Sequence, residues 1–173
     1  NEYFGGGMSS IVFQEMRESR ALCYAAWAQY SLASYKGDPN YINKGVLTQN
    51  DKLKDCILTL TDICDNMPVS QAAFENAKAS AMLQLGQTRY VRSQPINAYI
   101  EYTQRGWDHD YYKDVYDQLP NLTINDIVAF QKEHVANKTY RYMILGNPKE
   151  LDMKYLKSLG TVKKLSLKDI FVY

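Results

Sequence analysis

Histidine and cysteine are scarce: the 173 residues include two of the first and three of the second. A catalytic zinc normally takes three protein ligands, so His109 and His134 cannot hold one unaided. No CxxC pair occurs, which excludes a zinc ribbon. Cys56 and Cys64 would stand about 12 Å apart on one helix, too far for a disulfide. With Cys23 they read as free, buried thiols. No apolar run reaches the roughly 18 residues that a membrane span requires. An excess of one charge is also lacking: 20 Lys and Arg meet 19 Asp and Glu, mixed along the chain. That balance argues against a dedicated nucleic-acid binder. The sequence shows no internal repeat, low-complexity segment or linker. These residues show no signal-peptide pattern, but the sequence opens on Asn1 rather than Met, so targeting signals could lie upstream. We therefore expect a single domain over residues 1–173, cut from a longer polypeptide.

What is present is a clear succession of local patterns. Tyr3–Ser10 holds three glycines and two serines; glycine permits φ > 0 there, and Ser9 or Ser10 can cap the next helix. Residues 11–19 predict a short helix. Leu22, Tyr24, Ala26, Ala28, Tyr30 and Leu32 alternate with their neighbours, which predicts a strand to about residue 35, with a helix as the alternative because of its alanines. KGDPN at 36–40 is a turn, and 41–49 a second strand. Leu53, Ile57, Leu60 and Cys64 fall on one face of a helix predicted over 51–66. Ser70 should cap another to about 85. Residues 89–118 predict two more, and Thr123–Asp126 is a capping box opening a helix to about 135. YRYMIL at 140–145 predicts a strand, 150–159 a helix, and 162–167 a last strand. The order defines an α+β fold: a mixed, mostly antiparallel sheet with helices on one face.

The candidate chemistry is thin. The Gly5–Gly7 run lacks the lysine of a phosphate-binding GxxxxGK[ST] loop, and it lacks the preceding strand of a dinucleotide site. FQKEH at 130–134 mimics a zinc-binding HxxEH with Phe130 in place of the first histidine. His134 is better explained as a cation near a helix C-terminus, and His109, between Asp108 and Asp110, as part of a solvated turn. Arg17 and Tyr24 stand seven apart, where a helix turns into a strand. An arginine can hold a carboxylate or polarised carbonyl, and a tyrosine hydroxyl can donate to a developing oxyanion. On pattern alone, however, Arg17 is a surface charge beside Glu15 and Glu18, and Tyr24 a strand aromatic.

The opening stretch, NEYFGGGMSSIVFQEMRESRALCYAAWAQY, changes that weighting. Gly6-Gly7, Ser9-Ser10, Val12-Phe13, Arg17-Glu18 and Leu22-Cys23-Tyr24 resemble the start of the second, non-metal half-domain of the pitrilysin/insulinase (M16) zinc peptidases. Cys23 stands where the family usually has a small residue. The helical block, the capped helix at 123 and YRYMILGN agree in kind, so the resemblance is strong over about 30 residues and loose afterwards.

The resemblance implies a half-domain that closes over an unfolded peptide. Its partner half-domain, on the same or another chain, would carry HxxEH and a later Glu that bind zinc. This half would bind no metal or cofactor itself. Arg17 and Tyr24 fall on the positions that contact the substrate and stabilise the transition state. The alternative is an inactive relative serving as a peptide-binding or scaffold subunit; a third reading is an unrelated interaction module using the WDHDYYKDVYDQL stretch. Compared with the family, the chain starts one strand late, so an unpaired sheet edge and self-association through it are expected. Bacterial envelope and cytoplasm are both open as locations.

Overall fold

The computed structural model describes residues 1–87 and 94–171. Its centre is an antiparallel pair, β1 (Ala25–Ser31) and β2 (Tyr41–Leu47), in a register that sets Ala28 against Lys44 and Trp27 against Gly45. Alternation sends Ala26 and Ala28 to one face, where both are buried, and leaves Trp27 and Gln29 on the other. The alternating sequence pattern therefore located this strand correctly but made it too long at both ends.

Helices cover the face that carries the alanines. α1 (Ile11–Phe13) buries all three of its residues and runs on as a π-helical turn, Gln14–Ser19, whose Met16 is fully buried. α2 (Leu53–Asp65) follows a 3-10 turn and buries Cys56, Thr59, Ile63 and Cys64, a face turned from the predicted one: Leu53, Ile57 and Leu60 are only partly buried, and Cys64 alone is shared. α3 (Gln71–Gln87) buries Phe74 and Ala77. The Ser70 hydroxyl accepts from the Ala73 N–H at 3.2 Å, the expected cap. Ile11, Met16, Cys56, Ile63, Phe74 and Ala77 form one core with Tyr3, Val12, Ala26, Ala28 and Met67. α6 (Ile124–His134) begins at the predicted capping box, with the Asp126 carboxylate accepting from the Thr123 N–H (2.8 Å) and hydroxyl (2.6 Å). That hydrogen bonding holds the Asp126 carboxyl below its ordinary pKa. Buried Gln131 of α6 donates to the Cys64 carbonyl at 2.5 Å, satisfying an acceptor that the end of α2 leaves open.

α4 (Gln94–Arg105) and α5 (Tyr111–Gln118) bury no residue fully. α4 reaches the sheet region through the hydrogen bond from the Lys36 N–H to the Gln104 carbonyl, 2.8 Å. α7 (Met153–Leu159) and the short α8 (Leu167–Ile170) close the chain.

Three expectations change. Residues 140–145 and 162–167 do not form strands: 140–145 is irregular, and Met143 and Leu145 are 93% and 103% exposed. An extended segment becomes a strand only against a ladder partner, and among the described residues the sheet stops at two strands. The glycine loop does not use positive φ; that conformation falls at Gly37, Gly106 and Gly160. Gly5 is needed because the loop runs against β1, where a Cβ would lie 2.3 Å from the Ala28 nitrogen. Ser10 precedes α1 but makes no capping bond. Arg89, where the first of the two middle helices was expected to start, lies outside the described residues.

The two edges of the sheet differ. On β1, the Ala28 N–H donates to the Gly5 carbonyl at 3.3 Å. The Asn1 amide brackets Tyr30, accepting from its N–H at 2.7 Å and donating to its carbonyl at 2.9 Å. One side chain thus substitutes for a neighbouring strand. The outer edge of β2 has no strand beside it among the described residues.

Candidate functional site

Arg17 and Tyr24 come together. The Arg17 guanidinium carbon lies 5.5 Å from the centroid of the Tyr24 ring and 5.0 Å from that of Phe13. Stacking against two aromatic rings holds the cation without burying it. Its other partner is Glu18, at 3.6 Å from Nε. Tyr24 is 76% exposed, so the pair presents a donor-rich cation beside a phenol at the protein surface.

The backbone between them explains how. Arg17 lies in the π-helical turn, a wide-turn geometry that often marks functional positions. The Ala21 N–H donates to the Arg17 carbonyl at 3.1 Å and the Leu22 N–H to the Met16 carbonyl at 3.0 Å. Ala21 then reverses the chain with φ 48°, a left-handed conformation that costs a non-glycine residue about 1 kcal/mol. Neighbouring elements hold this reversal in place. Lys52 Nζ donates to the Ala21 carbonyl at 3.1 Å, and the Thr48 hydroxyl donates to the Leu22 carbonyl at 2.6 Å. The Tyr24 N–H donates to the Leu47 carbonyl at 2.8 Å, locking Tyr24 to the end of β2. Beside Tyr24 the same residues enclose a cleft of about 490 Å³ lined by Ala21 to Tyr24, Leu47 to Gln49 and Lys52. Cys23 lines it, and burial pushes its thiol pKa up. The π turn and Lys52 are the parts of this site that sequence reasoning missed; neither leaves a periodic signal.

The open face of the sheet continues away from this pair with Trp27, Tyr41 and Leu47, all exposed. The histidines are engaged elsewhere. His134 packs with Phe130 (4.6 Å between centroids) and Tyr30 (6.0 Å), tying α6 to β1. His109 contacts Asp108 and Asp114, each at 2.7 Å, and is raised in pKa chiefly by its hydrogen bond to Asp108. In the tyrosine-rich stretch, Trp107 stacks on Tyr111 at 4.6 Å, with Arg105 over the indole at 5.2 Å, so much of its aromatic surface is used internally. Among the described residues no group of three or more His, Cys, Asp or Glu is placed to hold a metal. No described helix is long and apolar enough to cross a membrane.

No protein-family model and no curated protein matches the chain. Among solved structures, the chain is similar to the crystal structure of a peptidase M16 inactive domain from Pseudomonas fluorescens. The TM-score is 0.53 with 21% identity, over 78% of this chain and 32% of that one. The fold is therefore α+β and resembles that of this M16 domain, and the chain spans about a third of that structure's length.

Proposed function

We propose that this chain is the non-metal, substrate-closing half-domain of an M16-type peptidase, and that Arg17 and Tyr24 are its contacts to the peptide. The observation that carries this reading is their juxtaposition: an exposed tyrosine 5.5 Å from an arginine, on a reversal held by Lys52 and Thr48 and beside an open cleft. The likeness in fold supports it. A guanidinium can hold a peptide carbonyl or carboxylate by paired N–H donors, and the phenol can donate to an oxygen as negative charge builds on it. Among the described residues no group is placed to hold a zinc ion, and the role proposed for this chain is binding and charge stabilisation. Metal chemistry would belong to the HxxEH half-domain. The free edge of β2 is where the expected self-association, or pairing with an extended peptide, would run.

The first test is to read the polypeptide that adjoins or co-purifies with this chain and look for HxxEH with a later Glu. Where it is found, Tyr24→Phe in the complete protein should lower kcat for peptide hydrolysis by about 10²–10³, the range for loss of one oxyanion donor, with a smaller change in KM. An unchanged kcat would remove Tyr24 from the mechanism. A second reading has its own support, since the similar solved domain is described as inactive. In that case the chain binds peptides or scaffolds a complex, no HxxEH partner is found, and the same cleft binds peptide without hydrolysis.

A further inference from the structure

Outside this site, one pair of reactive side chains has no part in peptide binding. Lys44 stands on β2, half-buried among the helices, and Cys64 lies fully buried near the end of α2. Lys44 Nζ donates to Cys64 Sγ at 3.2 Å and sits 3.1 Å from the centroid of the Tyr140 ring. Its close partners are thus a sulfur and an aromatic face. The nearby Asp65 carboxylate is engaged by the Asn137 N–H at 2.7 Å, and the Tyr140 hydroxyl by the Val135 carbonyl at 2.8 Å. Burial lowers the Lys44 pKa more than the sulfur and the Asp65 carboxylate raise it, so a neutral amine is more accessible here than on a solvated lysine. Burial also pushes the Cys64 thiol up, with Lys44 pulling partly against it. Cys56, two turns earlier on the same helix, is beyond disulfide reach.

We propose that Lys44 and Cys64 are a modification site, joined by hydrogen peroxide into a covalent N–O–S bridge that ties β2 to α2. The chemistry balances in three steps. The thiol takes one oxygen from a first peroxide, giving the sulfenic acid S–OH and water. The neutral amine takes one from a second peroxide, giving the hydroxylamine N–OH and water. Condensation of S–OH with HO–N forms the S–O–N linkage and releases a third water. In total two peroxides are reduced, sulfur and nitrogen are oxidised, and the protein gains one oxygen while losing two hydrogens. Lys44 Nζ and Cys64 Sγ lie 3.2 Å apart, so once both carry oxygen the condensation joins side chains already in contact.

Treating the purified chain with hydrogen peroxide, digesting it and mapping the peptides by mass spectrometry tests this directly. The expected product is a linked pair of peptides carrying Lys44 and Cys64. Its mass should be about 14 Da above the sum of the two unmodified peptides, one oxygen gained and two hydrogens lost. Dithiothreitol should return both to their starting masses, and the product should be lost in Lys44→Arg and in Cys64→Ser. Sulfenic or sulfinic acid at Cys64 without the link, a Cys64 that stays reduced, or the same linked product in Lys44→Arg would each overturn the proposal. The map of the unmutated chain decides the matter even if a variant fails to fold.

Discussion

The Trp27 indole lies over Gly45 on the open face of the sheet, so close that a Cβ on residue 45 would sit 1.9 Å from the indole Cζ2. The cross-strand partner of this tryptophan therefore has to be glycine. Gly45→Ala should drive the indole off the strand and destabilise the fold by about 1–3 kcal/mol, the usual cost of overpacking. Urea unfolding followed by tryptophan fluorescence in a Trp107→Phe background reads both effects. Unchanged emission and stability would show that the ring is not held there.

Ser10 is fully buried and its hydroxyl has no partner. A buried, unsatisfied hydroxyl opposes folding, and its removal leaves nothing unpaired. Ser10→Ala should raise stability by about 1 kcal/mol, read as an increase in the urea midpoint at constant m-value. A loss of stability would mean that the hydroxyl has a partner in solution.

Ala21 holds φ at 48° between the π turn and Tyr24. Ala21→Gly relieves the Cβ clash but widens the unfolded ensemble, so the net gain should be about 0.5–1 kcal/mol. If destabilisation were measured, the reversal would not be left-handed there.

Tyr24 is mostly exposed, so Tyr24→Phe should leave stability within about 0.5 kcal/mol of the parent by thermal or urea unfolding. Together with the kcat loss expected for the complete protein, this separates a functional hydroxyl from a structural one. A large drop in stability would make any activity loss uninformative about catalysis.

His109 is flanked by Asp108 and Asp114, and the Asp108 hydrogen bond is the larger cause of its raised pKa. The sign follows: folded above unfolded, the stabilisation is complete below the unfolded value and is lost as pH rises through the folded one. By NMR, the His109 ring should titrate above its ordinary 6.5, and Asp108→Asn should bring it down. A midpoint at or below 6.5 would mean that the two carboxylates do not engage the ring.

Local signals proved the most legible. The Thr123 box needs only residues three apart, and Ser70 caps α3 as its sequence suggests. The alternation of β1 likewise reports on burial that the strand carries alone, and the period of α2 gave the helix but not the face it buries. Tyr140 to Leu145 has strand residues, but a ladder needs a partner that its own sequence cannot specify. The π turn was hidden because its carbonyl pairing is set by the reversal at Ala21, which in turn depends on Lys52 and Thr48 from 27 to 31 residues away. The seven-residue spacing of Arg17 and Tyr24 was visible; the contact between them depends on that reversal.

The absence of fully buried side chains from α4 and α5 has a consequence for how this chain can change over time. With no core position to protect, most single substitutions in those helices should cost less than about 0.5 kcal/mol. Exchanges at Met16, Ile63 or Phe74 disturb close packing and cost several times more. The surface chemistry of these two helices can thus change while the sheet and its covering helices keep their packing.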